Sequence, residues 1–353
     1  MKKSIISIIL LLAVCIGANA HDFAAMVNGQ KLYFNISNKL ARTASVTYCG
    51  SIADKIVPEV SGVVQVPATV KHGGVVYKIT SIEPKAFCGA TKLEGIVLPS
   101  GITKIGDFAF EGCTSLSKVV FPGNVVQMGQ GVFFKCDKIK DVTIGSDWKS
   151  IDLSMFRWSD SLTTLAIPAK VEKIANMKKL KHLETITIDV NNSRFVSVDG
   201  VLYNRDTTTL YGVPRAFVGK LKVQEGTVAI TRGALIDCPG ITHIDLPSTL
   251  QSMSFRETSR MAGLEEIVLR AEQPMATAYS GGVAKLAFQV INRDVKIIVP
   301  NDSKKAYQEA LAHADGEYAE DNKVGSVPYA LKATDLPKEK AIKGVKNFKD
   351  YDE

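Results

Sequence analysis

A pattern of apolar residues returns every 23 positions along much of this chain. Four full coils follow this grid, and they begin at Ile79, Ile102, Val125 and Trp148. Residues of the same kind recur at equivalent places, in the pairs Ile105 and Met128, Phe110 and Phe133, and Cys113 and Cys136. A fixed period of this length is typical of stacked units that cover each other's apolar sides. The spacing therefore predicts a repeat solenoid.

Each coil contains a short segment of the form Leu-x-x-Ile-x-Ile, in which apolar and polar residues alternate. Such alternation predicts a short strand with one face turned inward. Strands stacked about 4.8 Å apart pair their backbones and enclose a continuous core. The inward rows of successive coils must match each other in shape, which explains why the sequence repeats.

Three cysteines share one position of the grid, which Ala90 and Ser159 also occupy: Cys113, Cys136 and Cys238. A position that accepts alanine, serine or cysteine is a narrow inward-facing slot, so we interpret these thiols as small buried hydrophobic groups. A disulfide between Cys113 and Cys136 is the alternative, because adjacent coils lie near bonding distance.

The grid is interrupted once. A fifth coil starting at Val171 is two residues short, and the register is lost between Asp189 and Thr227. Leu221 and Val223 supply the strand of an expanded sixth coil, and the grid resumes in coils that begin at Thr227 and Leu250, so eight coils are counted over residues 79–272. Within the interruption, the run VLYN-RDT-TTLYGV predicts a hairpin insertion at about residues 195–219.

The segment IGDFAFEGCTSLSKVVFP, residues 105–122, closely resembles one coil of the BspA-like, treponemal-type leucine-rich repeats. The resemblance covers about residues 75–270, and residues 198–204 resemble an insertion that recurs in that family. It implies a right-handed, β-rich leucine-rich-repeat horseshoe, with one short strand and one short helical or 3₁₀ turn per coil. It further implies a secreted or surface-displayed bacterial protein that takes part in adhesion, without a catalytic motif.

The flanks differ from the repeats. Residues 21–78 are strand-like and predict a β cap over the first coil. Residues 273–330 predict a C-terminal cap, made of a strand at residues 296–300 and a helix that begins near Lys304. Residues 331–353 are charged and lack an apolar period, so we expect a mobile tail.

The first twenty residues predict export. Two lysines, an apolar run and the ending Ala18-Asn19-Ala20 form a signal peptide with cleavage before His21. A lipoprotein signal acting through Cys15 is the less favoured alternative, because Val14 is large for that position. No later apolar run is long enough to span a bilayer, so the mature chain is expected to be secreted or held at the outer cell surface.

The sequence shows no set of residues that points to catalysis or to a cofactor. The histidines are scattered, and no Cys-x-x-Cys or His-x-x-x-His spacing suggests a metal. Asp189 and Asn191 could begin a calcium loop, but Gly200 stands where a glutamate is needed. The net charge is +7 without an arginine-rich stripe, so nucleic acid is not expected. Two short O-glycosylation matches are more simply turn residues: Asp160-Ser161-Leu162 and Asp206-Thr207-Thr208.

The outward positions of the strands predict an extended face in two rows. One row contains Val97, Val120, Thr143, Ala166, Thr187, Lys222, Asp245 and Val268. The other contains Gly95, Lys118, Asp141, Thr164, Thr185, Lys220, His243 and Glu266. The candidate ligand-binding residues from these rows are Lys118, Val120, Asp141, Thr143, Thr164, Thr187, Lys220, Lys222, His243 and Asp245. The candidate exposed aromatic residues of the hairpin are Tyr203 and Tyr211.

Taken together, these features predict a non-enzymatic binding or adhesion protein that presents its strand face to an extracellular protein, on a host or a bacterial surface. Two alternatives stay open: a glycan-binding accessory protein, and a structural envelope component without a dedicated ligand. The strand rows could equally be ordinary solvated surface.

Overall fold

The computed structural model describes residues 21–48, 59–123, 125–253, 260–274, 295–308 and 342–345. The predicted signal peptide, Cys15 and Cys49 lie outside these ranges. The described residues form two compact units, one of residues 21–48, 59–116 and 125–136 and the other of residues 117–123, 137–253, 260–274, 295–308 and 342–345. No helix in the described ranges has the length and apolar character that a membrane crossing requires.

The first unit begins with antiparallel strands and continues into the repeats. Its strands are β1 (Phe23–Val27), β2 (Gln30–Asn38), β3 (Thr43–Thr47), β4 (Gly62–Gln65), β5 (Thr69–His72), β6 (Val75–Ile82), β7 (Leu93–Val97), β8 (Lys104–Ile105) and, after β9 of the second unit, β10 (Gln127–Met128). One sheet runs in the order β1-β2-β3-β6-β8-β10, with β5 also paired to β6. The pairing is antiparallel up to β3 and parallel from β3 through β10.

A column of aromatic rings forms the core of the first unit. The rings of Phe87 and Phe110 stack with centroids 5.1 Å apart, and those of Phe110 and Phe133 lie 5.3 Å apart. All three side chains are fully buried. Because these residues are 23 positions apart, their stacking confirms the predicted period as the spacing between neighbouring coils.

The second unit consists of strands and short 3₁₀ turns. Its strands are β9 (Lys118–Val120), β11 (Asp141–Thr143), β12 (Ser150–Asp152), β13 (Thr164–Ile167), β14 (Lys173–Ala175), β15 (Thr185–Ile188), β16 (Phe195–Val198), β17 (Val201–Asn204), β18 (Thr209–Gly212), β19 (Gly219–Lys222), β20 (Ala229–Ile230), β21 (Ile241–Leu246), β22 (Glu266–Leu269), β23 (Lys296–Pro300) and β24 (Ile342–Val345). The 3₁₀ turns are Leu153–Phe156, Met177–Lys179 and Asn301–Ser303.

Strands of successive coils pair in parallel, as a stack of repeats requires. The predicted Leu-x-x-Ile strands form the pairs β9–β11 and β13–β15, and also the run β19-β21-β22-β23. A second row of short strands pairs β8 with β10, β12 with β14 and β18 with β20, and of these only β18 is predicted from the sequence. Successive coils therefore stack with their strands in parallel, and the predicted solenoid class is confirmed.

The interruption of the grid forms two consecutive hairpins. β17 pairs antiparallel with β18, which confirms the predicted hairpin, and β16 pairs antiparallel with β17 to add a third strand. The turn between β16 and β17 holds Asp199 and Gly200, with φ angles of 51° and 79°. Positive φ at both central residues is the pattern of the tight turns that join twisted strands, and a glycine adopts it without strain.

The structure of the C-terminal region matches the prediction from the sequence in one element and differs from it in another. β23 covers Lys296–Pro300, as predicted, and a helical segment follows at residues 304–308, where the described range stops. In the tail, where no element is predicted, residues 342–345 form β24 along the edge of β23. An unpaired strand edge exposes a row of hydrogen-bonding groups, and pairing with β24 satisfies those of β23.

Candidate functional site

The strand rows keep their predicted register inside each sheet. Lys118 lies beside Asp141, and Val120 beside Thr143. The same alignment links Thr164 with Thr185, Ala166 with Thr187, Lys220 with His243 and Glu266, and Lys222 with Asp245 and Val268. Residues that are far apart in the sequence are thus aligned as predicted, although ligand binding at these rows stays a prediction.

The rows do not form one uninterrupted face. In the described part of the second unit the strands belong to separate sheets, and no ladder joins β11 to β13 or β15 to β19. The insertion lies next to β15 instead, because the backbone N–H of Ile186 donates to the Gly200 carbonyl over 3.3 Å. A Cβ added at Gly200 would lie 3.3 Å from the Thr185 side chain. The hairpin turn therefore interrupts the predicted surface.

Several charged residues of the rows are paired with each other or with neighbours. The Lys118 ammonium lies 3.3 Å from the Asp141 carboxylate. Asp245 accepts two hydrogen bonds of 2.7 Å from Arg270, and both side chains are largely buried. This paired geometry is the strong form of such contacts, so Asp245 serves the protein's own packing rather than a free surface.

The candidate residues also differ in the solvent exposure of their side chains. His243 is partly buried, with its Nε2 4.0 Å from Glu266. Val120 is half-buried, and Val268, placed in an outward row, is only 3% exposed and so belongs to the core. The candidates that remain exposed without an ion pair in the described ranges are Thr143, Thr164, Thr187, Lys220 and Lys222.

Tyr203 is not the exposed aromatic residue that the sequence predicts. Its side chain is 1% exposed and packs in a cluster with Leu221 and Val223. Burial raises its pKa to about 12, although a hydrogen bond with the Gln224 backbone N–H opposes the shift. The prediction was wrong because it assumed a hairpin with one face in solvent. In the structure, the face of β17 that carries Tyr203 is covered.

Tyr211 is exposed, as predicted. It is 44% exposed, and its ring makes a T-shaped contact with that of Phe195, with the ring centroids 5.6 Å apart. The ring lies at a cleft that the sequence analysis did not identify. The cleft has a volume of about 840 Å³, and residues from β14, the following 3₁₀ turn, the insertion and the loop after β20 line it.

The cysteines occupy the buried slots that the grid predicts. Cys113, Cys136 and Cys238 are fully buried, and no disulfide joins Cys113 to Cys136. The Cys113 thiol donates to the Phe87 carbonyl over 3.1 Å, and the Cys136 thiol donates to the Phe110 carbonyl over 3.0 Å. Within the described residues, no group of three or more histidine, cysteine or acidic side chains could hold a metal ion.

Comparison with known protein families identifies the repeats. The model of the BspA type leucine rich repeat region matches residues 77–197 in six copies. Residues 77–197 are a BspA-type leucine-rich-repeat region. The BspA-type match ends inside β16 and so includes the interrupted fifth coil. The coils after the insertion lie outside the match but keep the same parallel pairing of β19, β21 and β22.

Solved structures similar to this chain include other leucine-rich-repeat proteins. A leucine-rich repeat protein from Bacteroides ovatus has 19% identity over 79% of this chain and 71% of its own, with a TM-score of 0.49. The pneumococcal vaccine antigen PcpA has 17% identity over 82% and 96%, with a TM-score of 0.43. A T. pallidum leucine-rich-repeat protein has 17% identity over 65% and 87%, with a TM-score of 0.37. No curated protein sequence matches the chain.

Proposed function

We propose that this chain is an exported, non-enzymatic binding protein that engages another protein at the outside of the cell. The observation that carries the proposal is the stack of repeat coils, which aligns outward side chains of successive strands in register. Repeat proteins commonly use such extended surfaces to bind partners. Secretion or attachment at the outer surface is part of the proposal and rests on the N-terminal twenty residues.

The part of the strand face best suited to a partner lies on β19. Lys220 and Lys222 are both exposed there, and neither has an ion pair in the described part of the chain. Two unpaired lysines on one strand attract an acidic patch and raise the rate of association. We therefore place the protein-binding surface at β19 and at the half-buried outward side chains of β21 beside it.

Capture of partners by the mature chain from His21 onward tests this proposal. Host extracellular matrix proteins and surface extracts of other bacteria are passed over the immobilised chain, and retained proteins are identified by mass spectrometry. The variant Lys220→Glu/Lys222→Glu is expected to retain less than about a tenth of the specific partner. Lys138→Glu/Lys149→Glu, which makes the same charge change at two exposed lysines elsewhere, is the control.

The outcomes separate the alternatives. Equal capture by both variants would remove β19 from the interface. Retention of no protein by the intact chain would contradict the proposed function as a whole and favour a structural envelope component. Thermal unfolding of both variants checks that the fold is preserved, since exposed lysine substitutions are expected to change stability by less than about 0.5 kcal/mol.

A further inference from the structure

The cleft at the insertion is strongly basic. Six basic and two acidic residues line it; the basic ones are Lys173, Lys178, Arg194, Arg205, Arg215 and Arg232. The acidic ones are Glu172 and Asp206. All eight belong to the second unit. A concave surface of one charge focuses the local potential and concentrates ions of the opposite sign.

One arginine of the cleft has a structural role. Arg215 donates from Nε to the Asp237 carbonyl and from Nη1 to the Lys178 carbonyl, each over 3.2 Å. Its Nη2 lies 3.4 Å from the Asp237 carboxylate, which Arg260 also contacts at 3.2 Å. Arg215 therefore connects the 3₁₀ turn after β14 to the loop after β20, which are two walls of the cleft.

The other five cations have no ion pair among the described residues. All five are exposed. Two of them are held next to each other, because the backbone N–H of Arg205 donates to the Arg194 carbonyl over 2.9 Å at the end of the β16–β17 pair. Like charges on neighbouring strands repel each other. An anion bound between them would relieve this repulsion.

The apolar part of the cleft limits the kind of anion. Phe195, Leu202 and Val213 line it but are buried, at 8%, 3% and 3% exposure. Tight binding of a peptide depends on a few large side chains that enter apolar pockets, and these buried side chains offer none. Three further apolar lining residues are only half-buried: Ile174, Met177 and Ile236. The exposed aromatic surface is the ring of Tyr211, a flat and amphipathic platform in T-shaped contact with Phe195.

We propose that this cleft binds an acidic polysaccharide, whose carboxylate or sulfate groups contact Arg194, Arg205 and Arg232 while one sugar ring stacks on Tyr211. Planar guanidinium groups donate paired hydrogen bonds to such oxyanions, so arginine suits them better than lysine. The volume of about 840 Å³ is within the range of known ligand clefts. The site is separate from β19 and does not depend on the proposed protein partner.

Titration calorimetry of the mature chain tests the site with defined oligosaccharides. Heparin fragments supply sulfate, oligogalacturonate supplies carboxylate, and neutral dextran is the uncharged reference. Poly-glutamate and a single-stranded oligodeoxynucleotide represent the other classes of anionic polymer. We expect binding of at least one acidic glycan that weakens as the salt concentration rises, and no binding of dextran.

Three variants locate the binding. Arg194→Glu/Arg232→Glu is expected to lower the affinity for the acidic glycan by about tenfold or more. Lys138→Glu/Lys149→Glu carries the same charge change outside the cleft and is expected to change the affinity by less than about twofold. Tyr211→Ala is expected to weaken glycan binding by roughly three- to tenfold without a matching effect on poly-glutamate.

Several results would overturn the proposal. One is the absence of binding to both acidic glycans. Another is tighter binding of poly-glutamate or of the oligodeoxynucleotide than of either glycan. Equal losses in the cleft variant and in its charge-matched control would show attraction by net charge alone. Capture of a protein at β19 is measured separately with Lys220→Glu/Lys222→Glu. Failure of the glycan proposal and failure of the protein-binding proposal can therefore be told apart.

Discussion

At the residue scale, Asn192 holds the start of the insertion against the preceding coil. This buried amide donates to the carbonyls of Pro168 and Val171 over 3.0 Å and 2.9 Å. Its oxygen accepts from the backbone N–H groups of Arg194 and Phe195 over 2.9 Å and 2.8 Å. One side chain thus satisfies four backbone groups at the point where the repeat is interrupted, and the position of Arg194 in the cleft depends on it.

We expect Asn192→Ala to lower the free energy of unfolding by about 2–4 kcal/mol, because buried backbone groups lose their partners. Urea denaturation followed by circular dichroism measures the change. Asn191→Ala is the matched control, since Asn191 is exposed and should change stability by less than about 0.5 kcal/mol. Similar losses for the two variants would show that the amide does not organise the insertion.

The thiols of the grid position are expected to be chemically inert in the folded protein. Hydrogen bonding with the Cys136 thiol, together with burial, raises the pKa of the Cys113 thiol far above its usual range. Cys113 therefore carries no reactive thiolate at mildly alkaline pH, and complete burial keeps reagents away from Cys136 and Cys238. We expect iodoacetamide at pH 8.5 to leave Cys113, Cys136 and Cys238 unlabelled until urea is added, as read by peptide mass spectrometry.

Cys88 provides the internal comparison for this experiment. Burial and the nearby Glu111 carboxylate raise its pKa, but its side chain is only partly buried, so reagents can reach it. Among the cysteines in the described ranges, it should therefore be labelled first in the native protein. Labelling of Cys113 at the same rate as Cys88 without denaturant would mean that the buried cysteine positions become accessible to solvent in the folded protein.

At the scale of elements, the phenylalanine column links neighbouring coils of the first unit. Phe110 lies between Phe87 and Phe133, with ring planes inclined by only 5° and 13°. We expect Phe110→Ala to lower the free energy of unfolding by about 3–5 kcal/mol, since it leaves a cavity between two coils. Phe134→Ala, at a half-buried ring nearby, is the control and should cost clearly less in the same urea titration.

The insertion contributes a titratable group to the core. Burial raises the Tyr203 pKa to about 12, above its usual value near 10. The folded protein therefore keeps the phenolic proton when the unfolded chain has lost it. The contribution of the Tyr203 hydroxyl to the free energy of unfolding is fully present below about pH 10. This contribution is lost as the pH rises toward 12.

The pH dependence gives a direct test of this burial. Between pH 10 and pH 12 the intact protein should lose about 2 kcal/mol more stability than Tyr203→Phe, which has no proton to release there. Urea titrations at several pH values measure the difference. Parallel curves for the two proteins would show that the Tyr203 ring is accessible to solvent.

At the scale of the whole molecule, the coils of a repeat protein depend mainly on their neighbours. We expect Phe110→Ala to increase amide hydrogen exchange in residues 87–116 and 125–136 of the first unit. Amides of β21 and β22, which belong to the core of the second unit, should keep their protection. Uniformly faster exchange along the chain, measured by mass spectrometry, would indicate a single cooperative unit instead.

Much of the fold could be predicted from the sequence because the repeat encodes contacts between residues 23 positions apart. The stacking of Phe110 on its neighbours, the buried slot of Cys113 and the parallel alignment of Lys220 with His243 all follow from that spacing. The candidate face was predicted only in part. The sequence did not indicate the pairing of Asp245 with Arg270, because no grid position relates them.

The sequence by itself determined the solenoid class, the register of the strands and the existence of a hairpin, because a strict period and an alternating pattern record which residues must share a core. Only the tertiary structure decided which side of that hairpin is covered. It buried Tyr203, left Tyr211 exposed and brought Arg194 beside Arg205 at a cleft. An inserted segment has no period of its own, so its contacts depend on the space that the surrounding coils leave open.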